Sequence, residues 1–231
     1  MRRALLIAAC VSLAACSEKP QPNYFPLNEG YRWQYRMSES NPLVNRRLPL
    51  SMENLGARTR DGLRYWLRRS SEGNEYWLRV DGEGVQRSGS RSWLGGLPAL
   101  GEAQTVLPPK LVVGAEWNAQ TRPYILERAI PFRERFTQDE SKNIELRMRL
   151  ASDDEMVEVP AGRFEHCLRI EGQGRLFVLA DARIGASEVP ITHTEWYAPG
   201  VGLVKLQRRE ELKTEQIVGG EVTLELLRFE P

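Results

Sequence analysis

Histidine and cysteine are scarce in this chain, two and three among 231 residues, and their scarcity removes whole classes of chemistry. His166 and His193 fall in different expected strands, and no H-x-x-x-H or C-x-x-C spacing accompanies them, so a zinc site of ordinary design is not encoded. The G-x-S-x-G nucleophile turn, the P-loop and the glycine pattern of dinucleotide-binding folds are also missing. No catalytic, metal-binding or cofactor-binding residue is therefore assigned. Charge of one sign is missing too: 32 Lys and Arg stand against 31 Asp and Glu, and nucleic-acid binding needs a basic field that this balance does not supply. The basic residues are mostly Arg, which suits carboxylate and phosphate recognition; a GC-rich genome explains the same bias. No segment carries a long amphipathic helix pattern.

What the chain does have begins at its N-terminus. Arg2 and Arg3 precede an apolar run, Ala4 to Ala15, that ends in Leu13-Ala14-Ala15-Cys16. The run is too short to cross a bilayer as a helix and reads as a removed targeting peptide. The motif resembles the lipobox of bacterial lipoproteins. That resemblance implies cleavage before Cys16, a diacylglycerol on its sulfur and an acyl chain on its new amino group. Each buried methylene contributes about 0.8 kcal/mol, so one chain holds marginally and several hold firmly. Ser17 rather than Asp follows the cysteine, which resembles the outer-membrane members of that class and implies a domain facing the periplasm. Arg2-Arg3 lacks the extended twin-arginine context, so the general export route is expected.

Removal of residues 1–15 leaves 216 residues and takes two basic side chains with it, for a net charge near −1. The length suits one large β domain or two small ones. The expected organisation is a signal peptide over 1–15, a lipidated Cys16 and polar tether over 16–23, and a single β domain over 24–231, with halves at 24–100 and 105–231. Cys10 leaves with the signal and Cys16 is the anchor, so Cys167 is alone and the domain holds no internal disulfide. Although Cys167 adjoins His166, it is read as a small buried hydrophobe rather than a nucleophile.

Period-two alternation dominates the rest. In 143–150, Ile144, Leu146, Met148 and Leu150 share one face while Glu145, Arg147 and Arg149 share the other, the pattern of a half-buried antiparallel strand. Tyr65-Trp66-Leu67-Arg68 recurs as Tyr76-Trp77-Leu78-Arg79, predicting a hairpin with its turn in Ser70 to Asn74. Gly219-Gly220 predicts a second, tight hairpin between Leu203–Val218 and Glu221–Phe229. Further strands are expected at 31–38, 48–57, 83–88, 115–121, 124–137, 154–159, 163–179 and 189–197. Residues 89–110, rich in Gly, Pro and Ser, are the expected long loop. Asp153-Asp154-Glu155 is read as a solvated acidic turn rather than a calcium site. An L-x-x-G-x-x-W pattern occurs at Leu27–Trp33 and again at Leu111–Trp117; equivalent copies would make two similar β halves in one sheet.

Three motifs lie in order along the domain: Tyr24-Phe25-Pro26-Leu27 through Gly30 to Trp33 and Tyr35; Val159-Pro160-Ala161-Gly162-Arg163-Phe164; and Trp196-Tyr197-Ala198-Pro199-Gly200-Val201-Gly202-Leu203-Val204-Lys205. This order is similar to that of uncharacterised bacterial secreted and lipoprotein β domains, the TapB-like group among them. The resemblance implies a curved, largely antiparallel sheet, clam-like or half-barrel, and brings no catalytic residues. On the residues themselves, the last two motifs are strand-turn-strand devices built on Pro and Gly.

The expected fold class is all-β. The leading functional expectation is a membrane-anchored, non-enzymatic interaction or envelope-assembly module with an envelope protein as partner. The alternative is a carrier of an apolar ligand such as a lipid or acyl chain, lined by its tryptophans; a hydrolase of envelope polymers, needing two facing carboxylates, is third. Most of the tryptophans are read as core anchors. Trp93 and Leu94, an apolar pair in the Gly-rich loop, are the candidate ligand or partner contact.

Overall fold

The computed structural model describes residues 21–91, 100, 103–129, 134–135, 144–181 and 185–231, and among them every regular element is a strand. β1 (Arg32–Asn41) to β5 (Gly84–Arg91) run through β2 (Val44–Arg60), β3 (Leu63–Ser70) and β4 (Glu75–Asp81). Then come β6 (Gln104–Leu107), β7 (Glu116–Thr121) and two short pieces, β8 (Glu127–Arg128) and β9 (Glu134–Arg135). Five long strands close the chain: β10 (Ile144–Val159), β11 (Gly162–Asp181), β12 (Gly185–Ala198), β13 (Gly202–Lys213) and β14 (Ile217–Glu230).

These strands form one sheet in the order β6-β5-β4-β3-β2-β1-β14-β13-β12-β11-β10-β7, with β8 and β9 paired off the path. Its two ends approach each other. Arg87 of β5 donates from Nη2 to Gln104 Oε1 at 2.7 Å and to the Gln120 carbonyl of β7 at 3.2 Å. Val106 and Leu107 of β6 pack in the same apolar cluster as Trp117 and Ala119 of β7. The result is an all-β, antiparallel, nearly closed barrel, as the alternating sequence and the expected half-barrel require.

Alternation fills the inside. Ile144, Leu146, Met148 and Leu150 join Ile170, Leu176, Val178, Val189 and Ile191 in one cluster. Trp33, Tyr35, Val204, Leu206, Leu224 and Leu226 make a second, into which Val157 and Val159 pack. The tip of the β10–β11 hairpin reaches β14, where Ala161 N–H donates to the Leu226 carbonyl. That reach is made by register shifts between Leu150 and Val157, since bulges bend a strand and increase its twist. Leu150, Ile170, Val189 and Leu226 have no exposed surface and anchor these two clusters.

The Val159–Gly162 and Ala198–Gly202 turns form where their Pro and Gly predicted them, with Gly200 at φ +73°. The hairpin between β3 and β4 also forms. Gly30 and Gly114 both take positive φ three residues before a tryptophan at the second position of a strand. Beyond that turn the copies diverge, because β1 pairs on both sides and β7 along one.

Three expectations are corrected. Gly219-Gly220 lies inside β14, and the β13–β14 turn is at 214–216. A Cβ on Gly219 would run into the Glu210 carbonyl, and one on Gly220 into that of Ser40; these glycines permit close backbone approach rather than a turn. Residues 124–126 are not a strand, and of 124–137 only β8 and β9 are extended pairs among the described residues. Asp153–Glu155 is part of the bulged β10 rather than a turn, with Asp154 bonded to His166 and Glu155 to Arg169 and Trp196.

Candidate functional site

One row of side chains crosses the outer face of β14 and the first five strands. The register sets Glu230 beside Arg32, Arg32 beside Glu53, Glu53 beside Arg69, Arg69 beside Glu75 and Glu75 beside Arg91. Charges therefore alternate along six positions, and laterally adjacent opposite charges attract across a sheet. Arg32 holds Glu53 at 2.8 Å. Glu75, 5% exposed, is gripped from both sides: Arg69 Nη2 donates to Oε1 at 2.6 Å and Arg91 Nη2 to Oε2 at 2.7 Å, each with its Nε as a second donor. Hydrogen bonds from Arg91 and Arg69, against the cost of burial, hold the Glu75 carboxyl below the usual carboxylate range.

This row borders a groove of about 580 Å³ lined by Ser51, Glu53, Arg69, Ser71, Glu75 and Arg91 among others, a volume within the range of ligand sites. Beside it on the same face, Tyr65, Leu67 and Trp77 form a small apolar cluster with Leu55 and Leu100. Alternation explains why these residues face out. On β3, Arg69 turns to the groove while its neighbour Arg68 turns inward and stacks between Phe25 and Trp33, 4.4 and 4.5 Å from their ring centres.

A second polar cluster lies inside the barrel on β12. His193 Nε2 sits 2.9 Å from Glu195 Oε1, and the Tyr197 hydroxyl donates to Glu195 Oε2 at 2.9 Å. Burial opposes ionisation of Glu195, but His193 and the Tyr197 hydroxyl outweigh it and the carboxyl stays ionised below its ordinary range. Burial and the Glu195 charge raise Tyr197 well above the phenol range. Among the described residues Arg68 has no carboxylate partner; it donates to Asn54 Oδ1 and the Pro26 carbonyl, and burial lowers it to about 10. Its work is to pin the segment that enters β1.

No family model matches the chain. No curated protein matches it either. Among solved structures, a candidate lipoprotein from Parabacteroides distasonis is similar at 12% identity and a TM-score of 0.45, covering 92% of this chain and 100% of that one. A candidate exported protein with YmcC-like fold, from Bacteroides fragilis, is similar at 12% identity and a TM-score of 0.42, covering 91% of this chain and 100% of its own.

The residues singled out from the sequence fall unevenly on this structure. Cys16, Trp93 and Leu94 lie outside the described residues. Cys167 is fully buried, and burial pushes its thiol up to about 11. Trp33 and Trp77 are buried anchors, and Trp66, Trp117 and Trp196 are half-buried. The two histidines are apart, His166 exposed against Asp154 and His193 inside, and no cluster of metal-ligating side chains exists among the described residues. Sequence reasoning missed Arg69, Glu75 and Arg91. Their only signal was a charged residue at strand positions where alternation puts side chains outside, and register alone brings them together.

Proposed function

We propose that this chain is an exported protein of the bacterial envelope, lipid-anchored at Cys16 in the outer membrane, whose β domain acts in the periplasm by binding another envelope protein and not by catalysis. The observation that carries the reading is the contrast between the two faces of the sheet. The inner face carries two clusters of packed apolar side chains, whereas the outer face of β2–β5 carries a polar groove of about 580 Å³. Arg91, which lines that groove, stands two residues before Trp93 in the sequence.

The tether supports a domain held close to its membrane. Asn23 is fixed to the body of the barrel, its carbonyl accepting from Gly200 N–H at 2.7 Å, and seven residues reach at most about 25 Å. The test is a photo-crosslinking residue placed at Ser71 of the full-length protein in intact cells. A discrete protein adduct is the expected result. No adduct, together with a lipid-mass adduct in native mass spectrometry of residues 17–231 purified without detergent, would overturn this reading in favour of an apolar-ligand carrier.

A further inference from the structure

We propose that the inner face of β2 holds a long-chain fatty acid: its acyl chain lies along Leu48, Leu50 and Met52, and its carboxylate pairs with the guanidinium of Arg68. This site is inside the barrel, so it neither needs nor replaces the protein partner proposed for the outer face.

An open apolar stripe supplies the wall. Leu48 pairs with Met37, Leu50 with Tyr35 and Met52 with Trp33, and directly opposite residues of paired strands share a face. Trp33 and Tyr35 belong to the inner cluster around Val204 and Leu224, so Leu48, Leu50 and Met52 point inward too. Trp33 and Tyr35 are buried, yet Met37, Leu48, Leu50 and Met52 are only half-buried. Register accounts for the difference. β3 pairs with β2 from Met52 to Arg60, so among the described residues no strand covers that edge of β2 over 44–51. The wall of the barrel is open beside the stripe.

The stripe ends on an unmatched cation. Asn54 follows Met52 on the same face and accepts from Arg68 Nε at 2.9 Å. Arg68 also stacks on Trp33, the partner of Met52. Its Nη2 donates to the Pro26 carbonyl, and among the described residues its Nη1 has no acceptor. The groups whose charge acts on it are the phenols of Tyr35 and Tyr197. Burial raises both, so both are uncharged at neutral pH and neither balances the guanidinium. A buried cation without a counter-charge is costly, and a carboxylate matches the planar donor geometry of Arg. The rings of Phe25 and Trp33 already fix the plane of this guanidinium, so binding orders little that is free.

These two features together select the ligand. From Leu48 to Asn54 the strand runs about 20 Å. One apolar run that ends at one positive charge complements a single chain with one negative head, in the way that ligand sites join an apolar lining to a few placed polar groups.

Photolabelling of the full-length protein in non-ionic detergent with a diazirine analogue of palmitate tests the site. Labelling is expected in the peptide that carries Leu48 to Met52. Palmitate should displace it at a concentration at least tenfold below that of 1-hexadecanol, which has the chain without the charge. That comparison uses the unsubstituted protein and depends on no variant. Arg68→Gln should abolish the preference for the acid, and Leu50→Trp, which fills the stripe, should cut labelling at least tenfold, each in protein whose melting curve shows an intact fold. Absence of labelling, labelling elsewhere, or equal displacement by the alcohol overturns the assignment. Displacement by phosphatidylglycerol as readily as by palmitate makes the occupant a membrane phospholipid and overturns it too. The Ser71 photo-crosslink reads the outer face separately, so either proposal can fail while the other stands.

Discussion

Arg208 Nε donates to Glu210 Oε1 at 2.8 Å, with both side chains withdrawn from solvent inside the barrel. The pair is joined to the chain that crosses beside it. Glu210 accepts from the backbone N–H groups of Tyr124, Ile125 and Leu126, while Arg208 donates to Thr121 Oγ1 and the Arg122 carbonyl and lies under the Tyr124 ring. Residues 121–126 thus gain from side chains the partners that a strand would have gained from a neighbour. Removing one member leaves the other charge buried and unpaired, which costs about 3–5 kcal/mol. Glu210→Gln is expected to lower the urea midpoint accordingly, and an Arg208→Met, Glu210→Leu double variant to lose less than the sum of the singles.

The two glycines in β14 predict that a side chain at either position is destabilising. A Cβ at Gly219 meets the Glu210 carbonyl and one at Gly220 the Ser40 carbonyl, so backbone must move to admit either. Gly219→Ala is expected to destabilise by about 1–3 kcal/mol, measured by thermal unfolding. A neutral or stabilising result would mean that β13 and β14 do not approach as closely as described.

Cys167 is expected to be inert in the folded protein. Its thiol is fully buried and pushed up to about 11, so roughly one molecule in a thousand carries thiolate at pH 8. Ellman's reagent should label it only after denaturation; rapid labelling of the native state would place it at an accessible site.

Acid should loosen the groove before it unfolds the barrel. The Glu75 carboxyl lies below its ordinary value of 4.5 because Arg91 and Arg69 bind its ionised form. Its contribution is complete above the unfolded value and disappears as pH falls through the lower, folded one. Stability should therefore decline below about pH 4.5, and Glu75→Gln should flatten that part of the profile. An unchanged acid limb in Glu75→Gln would show that the pairing contributes nothing measurable.

Two variants address residues singled out from the sequence alone. Cys16→Ala is expected to release the protein from membranes into the periplasm; a mutant that still sediments with membranes would mean that lipid does not hold it there. Trp93→Ala is expected to keep the melting temperature and weaken the Ser71 crosslink. A large loss of thermal stability would instead assign Trp93 to the core.

The sequence by itself determined the class of this fold. Ile144-Glu145-Leu146-Arg147-Met148 can bury one face and solvate the other only as a strand, and Pro160-Ala161-Gly162 can only turn the chain between two of them. Those are local constraints, set by side-chain direction and allowed φ. Gly219-Gly220 shows where local reasoning stops: the same dipeptide suits a tight turn or a close backbone approach, and only the neighbouring Glu210 and Ser40 carbonyls decide between them. The candidate site was wholly a tertiary product. Arg69, Glu75 and Arg91 are ordinary outward positions on three strands, and their meeting depends on register, which hairpin turns and cross-strand packing fix together. Likewise, alternation said that Arg68 and Arg69 face opposite ways, but only the closing of the barrel decided that Arg68 would be stacked on aromatic rings inside while Arg69 opened onto a groove.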